Sequence, residues 1–196
     1  MNIKTRMSNE DRSSMTRRAL VSAARQLFVE KGYAEASTPE LVKAAGVTRG
    51  ALYHHFEDKK AIFRAVAESE LAEVADRINR STSTSPTAMQ ALENGTRAYL
   101  DAMQAPGRAH LLLVEGPAAL GVNTMKQLNS QSAAHTLRNG LEAAIKAAEI
   151  SPLPLDALTA VLDAAFDRAA LEIAQGAPRT DIETALSALL QGLAAK

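Results

Sequence analysis

The side chains best suited to a chemical task lie in a short stretch of the chain that begins at Thr48. Arg49 stands one place after a residue that can cap a helix. An arginine near the start of such a helix can donate two hydrogen bonds to the O6 and N7 atoms of guanine. Tyr53, His54 and His55 add a hydroxyl and ring nitrogens, which proteins use to bind phosphate oxygens. These residue types at this spacing predict a helix that binds DNA.

Two short helices joined by a glycine turn must position these side chains. Thr38 and Pro39 predict the start of the first helix, with Thr38 as its N-cap and Pro39 at its first helical position. Gly46 ends that helix in the left-handed conformation that glycine adopts at least cost. Thr48 then caps a second helix that ends near His55. This arrangement is a helix-turn-helix, whose second helix enters the major groove of DNA.

This stretch and the helix before it resemble the N-terminal pattern of the TetR family of bacterial transcription regulators. The chain reads AARQLFVEKGY from Ala23 to Tyr33 and TPELVKAAGVTRGALYHHFEDKKAI from Thr38 to Ile62. The family's pattern is AAxxLFxxxGY followed by TxxxIAxxAGVSxGxLYxHFxxKxxL. Two departures stand out: Leu41-Val42 replaces Ile-Ala, which places a bulkier side chain where the two helices approach, and Thr48 replaces serine, which keeps the cap.

The resemblance implies which residues bind DNA. It implies base contacts from Arg49, Gly50 and either Ala51 or Tyr53. The alternative for the aromatic side chains is that Tyr53 and His54 simply pack between helices. The implied phosphate contacts come from Thr38, Thr48, Tyr53, His54, His55 and Lys59.

The distribution of charge favours a nucleic-acid partner even though the net charge of the chain is zero. Residues 1–65 carry 12 Lys and Arg against 7 Asp and Glu, whereas residues 66–196 carry 10 against 15. A phosphate-binding module requires such a basic segment. We interpret residues 1–14 as a disordered arm in which Lys4 and Arg6 are candidates for the minor groove, although a plain flexible terminus is the commoner case.

Several classes of protein are excluded by what the sequence lacks. The absence of cysteine excludes disulfides, thiolate zinc sites and thiol redox sensing. No apolar run is long enough to span a membrane, and the first residues are not a signal peptide, so we expect a cytoplasmic location. No acid lies three residues before a histidine, as a di-iron bundle would require, and no nucleophile motif or phosphate-binding glycine loop occurs. We therefore expect no enzyme activity, no cofactor and no metal.

Helical periodicity runs along the whole chain and predicts an all-α fold. We expect a helix-turn-helix head over residues 15–62 and a larger ligand-binding and dimerisation domain over residues 63–196. The first helix is predicted over residues 16–32, with Gly32 at its end. Beyond the head, the predicted helices cover residues 58–80, 86–105, 108–115, 122–149, 155–175 and 179–195, with a break at Gly116-Pro117.

The last two predicted helices carry apolar stripes with near-heptad spacing beside alanine-rich faces. An intramolecular hairpin would explain such stripes, but with the resemblance they favour a homodimer through a four-helix bundle. Two heads related by a two-fold axis would then bind the half-sites of a palindromic operator in double-stranded DNA. The residues predicted at the dimer interface are Leu158, Leu162, Ala165, Ala169, Ile182, Leu186, Leu189 and Leu193.

The resemblance also implies a pocket for a small-molecule effector inside the C-terminal helices. Large or polar side chains on helices rich in alanine and leucine are the candidates, each with core packing as the alternative. We interpret the chain as a repressor that such an effector releases from DNA. The alternatives are constitutive DNA binding without an effector, and a helical carrier or enzyme with a vestigial head. The candidate pocket residues are Tyr99, Met103, His110, Met125 and Phe166.

Overall fold

The computed structural model describes residues 9–195, and over this range the chain is built from helices, which confirms the predicted all-α fold. It divides into two compact units, Met1–Ala67 and Glu68–Lys196. No helix within the described range has both the length and the apolar character needed to cross a lipid bilayer. The helices are α1 (Asn9–Glu35), α2 (Thr38–Ala45), α3 (Arg49–His55), α4 (Lys59–Thr82), α5 (Ala88–Met103), α6 (Arg108–His110), α7 (Gly116–Leu120), α8 (Val122–Ser130), α9 (Ala133–Lys146), α10 (Leu155–Ala174) and α11 (Arg179–Gln191).

The core of the first unit forms where α1 lays its apolar stripe against the short helices α2 and α3. Leu20, Ala24 and Phe28 of α1 are buried, because residues four apart lie on the same face of a helix. The short helices contribute Leu41 and Leu52, which are 1% and 0% exposed. One apolar side chain from each short helix thus anchors it to α1 and fixes which of its faces points outward.

The first helix is longer than predicted at its start. It extends back to Asn9, so the prediction of a disordered arm is wrong for residues 9–14, where two acids in the first turn complement the positive end of the helix dipole. Lys4 and Arg6, the candidates for the minor groove, lie outside the described residues. Gly32 breaks the helix, as predicted, with φ 80° and ψ 162°.

The start of α2 differs from the prediction by one residue. The N-cap is Ser37, and Thr38 is the first helical residue. The Glu40 carboxylate accepts hydrogen bonds from the backbone N (3.0 Å) and the Oγ (2.7 Å) of Ser37. The Lys31 ammonium and these bonds lower the pKa of Glu40 to about 2. At the other end, Gly46 has φ 64°, which confirms the predicted left-handed stop.

The core of the second unit includes a buried arginine. Arg108 is 2% exposed, and its Nε and Nη2 donate to Glu70 Oε2 at 2.8 Å and to Glu73 Oε2 at 2.7 Å. Its Nη1 donates to the Ala102 carbonyl at 2.7 Å. The guanidinium therefore bonds α4 to the end of α5. Buried apolar side chains make up the rest of the core, among them Val74, Leu100, Leu111, Leu112, Leu141 and Ala144.

Two predicted helix boundaries in the second unit are wrong. Gly116-Pro117 ends no helix, because the N–H of Gly116 reaches the Leu111 carbonyl across a π-helical turn, Leu111–Glu115, that joins α6 to α7. Pro117 then lies in the first turn of α7, where its fixed φ is compatible with a helix. The break falls instead at Gly121, which has φ 91°. The predicted helix over residues 122–149 is divided into α8 and α9 by a short turn.

Candidate DNA-binding helix and ligand cavity

The helix α3 buries one face and leaves the opposite face open. The Thr48 Oγ1 accepts a hydrogen bond from Ala51 N at 3.1 Å, which confirms the predicted cap. Leu52 is 0% exposed, whereas Tyr53, the next residue, is 45% exposed. Since neighbouring side chains on a helix point in different directions, the burial of Leu52 sets which residues of α3 remain open to a partner.

Arg49 and Tyr53 lie together on the open face of α3. The guanidinium carbon of Arg49 is 5.5 Å from the centroid of the Tyr53 ring, within the range of a cation–π interaction. His54 is exposed as well. The exposure of Tyr53 and His54 contradicts the alternative that they pack between helices. The open face therefore offers guanidinium, hydroxyl and imidazole groups to a partner.

Gly50 also lies on the open face, and no contact within the protein requires a glycine at this position. A Cβ atom added at Gly50 would meet a single heavy atom, Thr48 Oγ1, at 3.9 Å. Glycine nevertheless lowers helix stability by about 1 kcal/mol relative to alanine. An exposed helical glycine of this kind suits the close approach of another molecule's surface.

The two histidines at the end of α3 lie side by side. Their ring centroids are 5.2 Å apart and the ring planes are inclined at 67°. Partial burial, together with the neighbouring His54 and Arg17, lowers the pKa of His55. At neutral pH His55 is therefore uncharged, and it can offer a phosphate one N–H hydrogen bond but no charge.

The ammonium group of Lys59 is directed at the end of α1. Its Nζ donates to the carbonyl oxygens of Tyr33 (2.8 Å), Ala34 (3.1 Å) and Ala36 (2.9 Å). It also lies 4.6 Å from the centroid of the Tyr33 ring. An ammonium has three N–H donors, and three carbonyls use them. The phosphate contact of Lys59 stays a prediction, and the geometry gives this lysine a positioning role that the sequence did not reveal.

The second unit contains a cavity of about 280 Å³. Of the five candidate pocket residues, Tyr99 and Phe166 line it. Met103 and Met125 are buried outside the lining, and the His110 side chain is 66% exposed, with its Nε2 3.9 Å from Glu115 Oε1. The lining residues are Ile78, Asn79, Thr82, Ala91, Leu92, Gly95, Thr96, Tyr99, Ala133, Thr136, Leu137, Asn139, Gly140, Asp163 and Phe166.

Two carboxylates of α10 lie at or behind the cavity wall. The Tyr99 hydroxyl donates to Asp167 Oδ1 at 2.6 Å, and Asn129 Nδ2 donates to Asp163 Oδ1 and Oδ2 at 3.1 and 3.0 Å. Burial raises the pKa of Asp163 and raises that of Asp167 to about 6. Burial and Asp167 together raise the pKa of Tyr99 well above its usual value.

Asp163 and Asp167 are not among the site residues predicted from the sequence, although they form this cluster with Asn129 and Tyr99. The available signal was two acids one turn apart on a helix otherwise rich in alanine and leucine. That spacing alone does not distinguish a solvated pair from a buried one. Among residues 9–195, no group of three or more His, Asp or Glu side chains could hold a metal ion.

The predicted dimer interface needs correction at three residues. Leu162, Ala169 and Leu186 are 6%, 7% and 5% exposed, because the more apolar side of each helix packs into the chain's own core. Leu158, Ala165, Ile182 and Leu193 are half-buried, and Leu189 is 55% exposed. The outward faces of α10 and α11 also carry exposed Ala157, Ala160, Val161, Ala164, Ala185 and Ala188.

Two family models match the chain. A model described as bacterial regulatory proteins, tetR family, matches residues 20–66. A model described as tetracyclin repressor-like, C-terminal domain, matches residues 89–193, which is more than half of the chain.

Individual proteins resemble this chain over different shares of its length. The HTH-type transcriptional repressor Rv1474c of Mycobacterium tuberculosis is 42% identical over 72 residues, which are 35% of this chain and 38% of the repressor. The chain thus spans well under half the length of this curated relative. A TetR-family transcriptional regulator from Pectobacterium atrosepticum has a crystal structure with a TM-score of 0.75 and 28% identity, covering 97% of this chain and 99% of that chain. The transcriptional regulator FadR from Bacillus subtilis, in complex with stearoyl-CoA, shares the fold, with a TM-score of 0.77 and 17% identity over 88% of this chain and 96% of that one.

Proposed function

The chain belongs to the TetR family of bacterial regulatory proteins, and from this premise we propose that it is a transcriptional repressor. In this proposal it binds a palindromic operator as a homodimer, and a small-molecule effector releases it. The observation that carries the proposal is the open face of α3, where Arg49, Gly50, Tyr53 and His54 are exposed while Leu52 anchors the helix. Such a regulator acts in the cytoplasm and needs no catalytic residue.

The residues of the first unit divide into two roles in this proposal. Arg49 reads a base edge, with Gly50 and Ala51 allowing the helix to approach the groove. Hydroxyl and imidazole groups hold phosphates and set the register of the helix on DNA. The residues proposed for phosphate contact are Thr38, Thr48, Tyr53, His54 and His55, while the Lys59 ammonium is held by three carbonyl oxygens.

Selection of genomic fragments by the purified protein at physiological salt, followed by sequencing, tests the proposal. We expect enrichment of one pseudo-palindrome. Arg49→Ala should weaken binding to that site by about 1–3 kcal/mol and relax specificity at one base position. The matched control is Arg97→Ala, which removes an exposed arginine of α5 and should leave binding unchanged. Recovery of fragments without a shared site, or equal behaviour of the two variants, would reject the proposed role of α3.

The outward face of α10 supports the homodimer. Val161 is 67% exposed and lies among exposed alanines of the same helix, and Leu189 of α11 is 55% exposed. Small residues let two helices approach closely, and burial of such a face against a second copy would remove it from water. Val161→Arg should convert the dimer to a monomer in sedimentation experiments. Val122→Arg, at a valine of α8 that is 69% exposed, is the control that should stay dimeric.

The cavity supports release by an effector over constitutive DNA binding. A constitutive regulator would need only a filled core, whereas this unit contains a cavity of about 280 Å³. Binding of a small molecule there need shift the equilibrium between DNA-binding and DNA-free forms by only about 1–3 kcal/mol. Because such coupling is reciprocal, operator DNA should lower the affinity for the effector by the same factor by which the effector lowers the affinity for DNA.

A further inference from the structure

The threonines that line the cavity offer it hydrogen-bond acceptors. The hydroxyls of Thr82, Thr96 and Thr136 lie 3.1, 2.9 and 2.7 Å from backbone carbonyl oxygens of their own helices. A carbonyl oxygen can only accept, so each hydroxyl proton points at its carbonyl. Only the lone pairs of these three oxygens are left for a ligand.

The remaining polar groups of the wall continue this pattern. The Tyr99 hydroxyl donates its hydrogen bond to Asp167. The Asp163 carboxylate has only acceptor oxygens, and both of them accept from the Asn129 amide nitrogen. Two asparagine side chains supply the amide N–H groups of the lining. The wall is therefore rich in acceptors and poor in donors, so the complementary ligand is rich in donors.

The charge of the wall is also uncompensated. No Lys, Arg or His lines the cavity, and no cation contributes to the shifted pKa of Asp163 or of Asp167. A carboxylate withdrawn from water without a cation destabilises the folded chain, in keeping with the raised pKa values of both acids. Uncompensated buried charge beside a cavity is typical of a functional site.

We infer that the cavity binds a protonated amine with an apolar body. The ammonium group would donate to the Asp163 carboxylate and to the threonine oxygens. The apolar body would pack on Phe166 and Tyr99, whose ring centroids are 6.3 Å apart, and an aromatic face also attracts a cation. This inference rests on the proposed function, in which the cavity is the effector site, and it excludes carboxylates and phosphates as effectors.

Three probes with one apolar body and different charge test the inference. They are 4-phenylbutylamine, 4-phenylbutan-1-ol and 4-phenylbutanoate, titrated calorimetrically into the full-length protein at pH 7.5. We expect the amine to bind at least about tenfold more tightly than the alcohol, and the carboxylate to bind more weakly than both. Asp163→Asn should weaken the binding of the amine by about 10- to 100-fold and leave the affinity for the alcohol unchanged. The control is Asp156→Asn, an exposed acid of the same helix, which should change neither.

The outcomes separate this inference from the proposed function. Equal binding of amine and alcohol by the natural chain, or equal behaviour of the two variants, overturns the inference and leaves the cavity as an effector site for neutral molecules. Failure of all three probes to bind also overturns it. Operator binding measured on the same samples tests the regulator separately, since DNA binding by the first unit requires no ligand. The comparison of probes on the natural chain stands even if Asp163→Asn does not fold.

Discussion

In the first unit the groups proposed to bind DNA project outward from α3, whereas in the second unit two carboxylates are partly shielded from water. Asp163 lines the cavity, and Asp167 accepts a hydrogen bond from the lining residue Tyr99. Water solvates the exposed groups until a partner arrives, so they cost the fold little. The shielded carboxylates lower its stability at neutral pH. The exposed DNA-binding face therefore costs the folded chain little stability. The carboxylates at the cavity lower that stability, and a positively charged ligand would offset the loss.

The largest expected effect concerns Arg108, the one buried cation among the described residues of the second unit. Arg108→Ala removes a guanidinium that is 2% exposed and leaves the 4% exposed Glu70 without it. We expect a loss of about 3–5 kcal/mol in the free energy of unfolding, because removing one partner of a buried ion pair is strongly destabilising. Urea unfolding followed by circular dichroism measures the loss.

The control for this prediction is an exposed pair in the same unit. Arg97→Ala breaks the (i, i+4) pair with Glu93 and should cost no more than about 0.5 kcal/mol. A cost for Arg108→Ala as small as that of Arg97→Ala would contradict the view that buried charge governs the stability of the second unit.

The next effect concerns the pH dependence of stability. Burial, reinforced by Asp163 and opposed by the hydrogen bond from Tyr99, raises the pKa of Asp167 to about 6, from 3.8. The folded chain therefore holds this proton more tightly than the unfolded chain, and stability falls as pH rises from about 4 to about 7. Asp167→Asn keeps an acceptor for Tyr99 but has no proton to lose. Its stability should exceed that of the natural chain by about 1–3 kcal/mol at pH 7.5, and this advantage should disappear below pH 4.

Thermal unfolding at a series of pH values measures this difference. Asp156→Asn, at an exposed acid of the same helix, should follow the curve of the natural chain. Parallel curves for Asp167→Asn and the natural chain would mean that folding does not change the pKa of Asp167.

The two units also differ in how much the sequence could predict. Thr48, Arg49 and Tyr53 belong to one short helix, so their spacing alone was enough to predict a cap and an exposed face. The cavity brings together Thr136 of α9 and Asp163 of α10 with residues of α4 and α5, and no local spacing encodes which sides of four helices meet. The break expected at Gly116-Pro117 failed for a related reason, because a π-helical turn has no sequence pattern as regular as that of a helix cap.

A smaller effect should distinguish the two roles of Lys59 in the first unit. Lys59→Met removes three hydrogen bonds to carbonyl oxygens at the end of α1, and we expect a loss of about 1–2 kcal/mol in stability. The slope of log K against log salt for operator binding should stay unchanged, because the ammonium is already occupied. A slope reduced by about 0.9 would instead show that Lys59 neutralises a phosphate. Lys60→Met, at the exposed neighbour, controls for the lost charge.

The smallest effect, at Gly50, sharpens the comparison because stability and binding should change in opposite directions. The helix accepts a Cβ atom there, since the single heavy atom in reach is Thr48 Oγ1 at 3.9 Å. Gly50→Ala should therefore raise the stability of the first unit by about 0.5–1 kcal/mol. If glycine serves the close approach of DNA, the same methyl group should weaken operator binding severalfold while the salt dependence stays the same, because no phosphate contact is lost. Unfolding and fluorescence-anisotropy titrations on one preparation measure both quantities. A variant that gains stability and keeps full affinity would show that α3 does not approach DNA through Gly50, and the reading of bases would then fall to Arg49 and Tyr53.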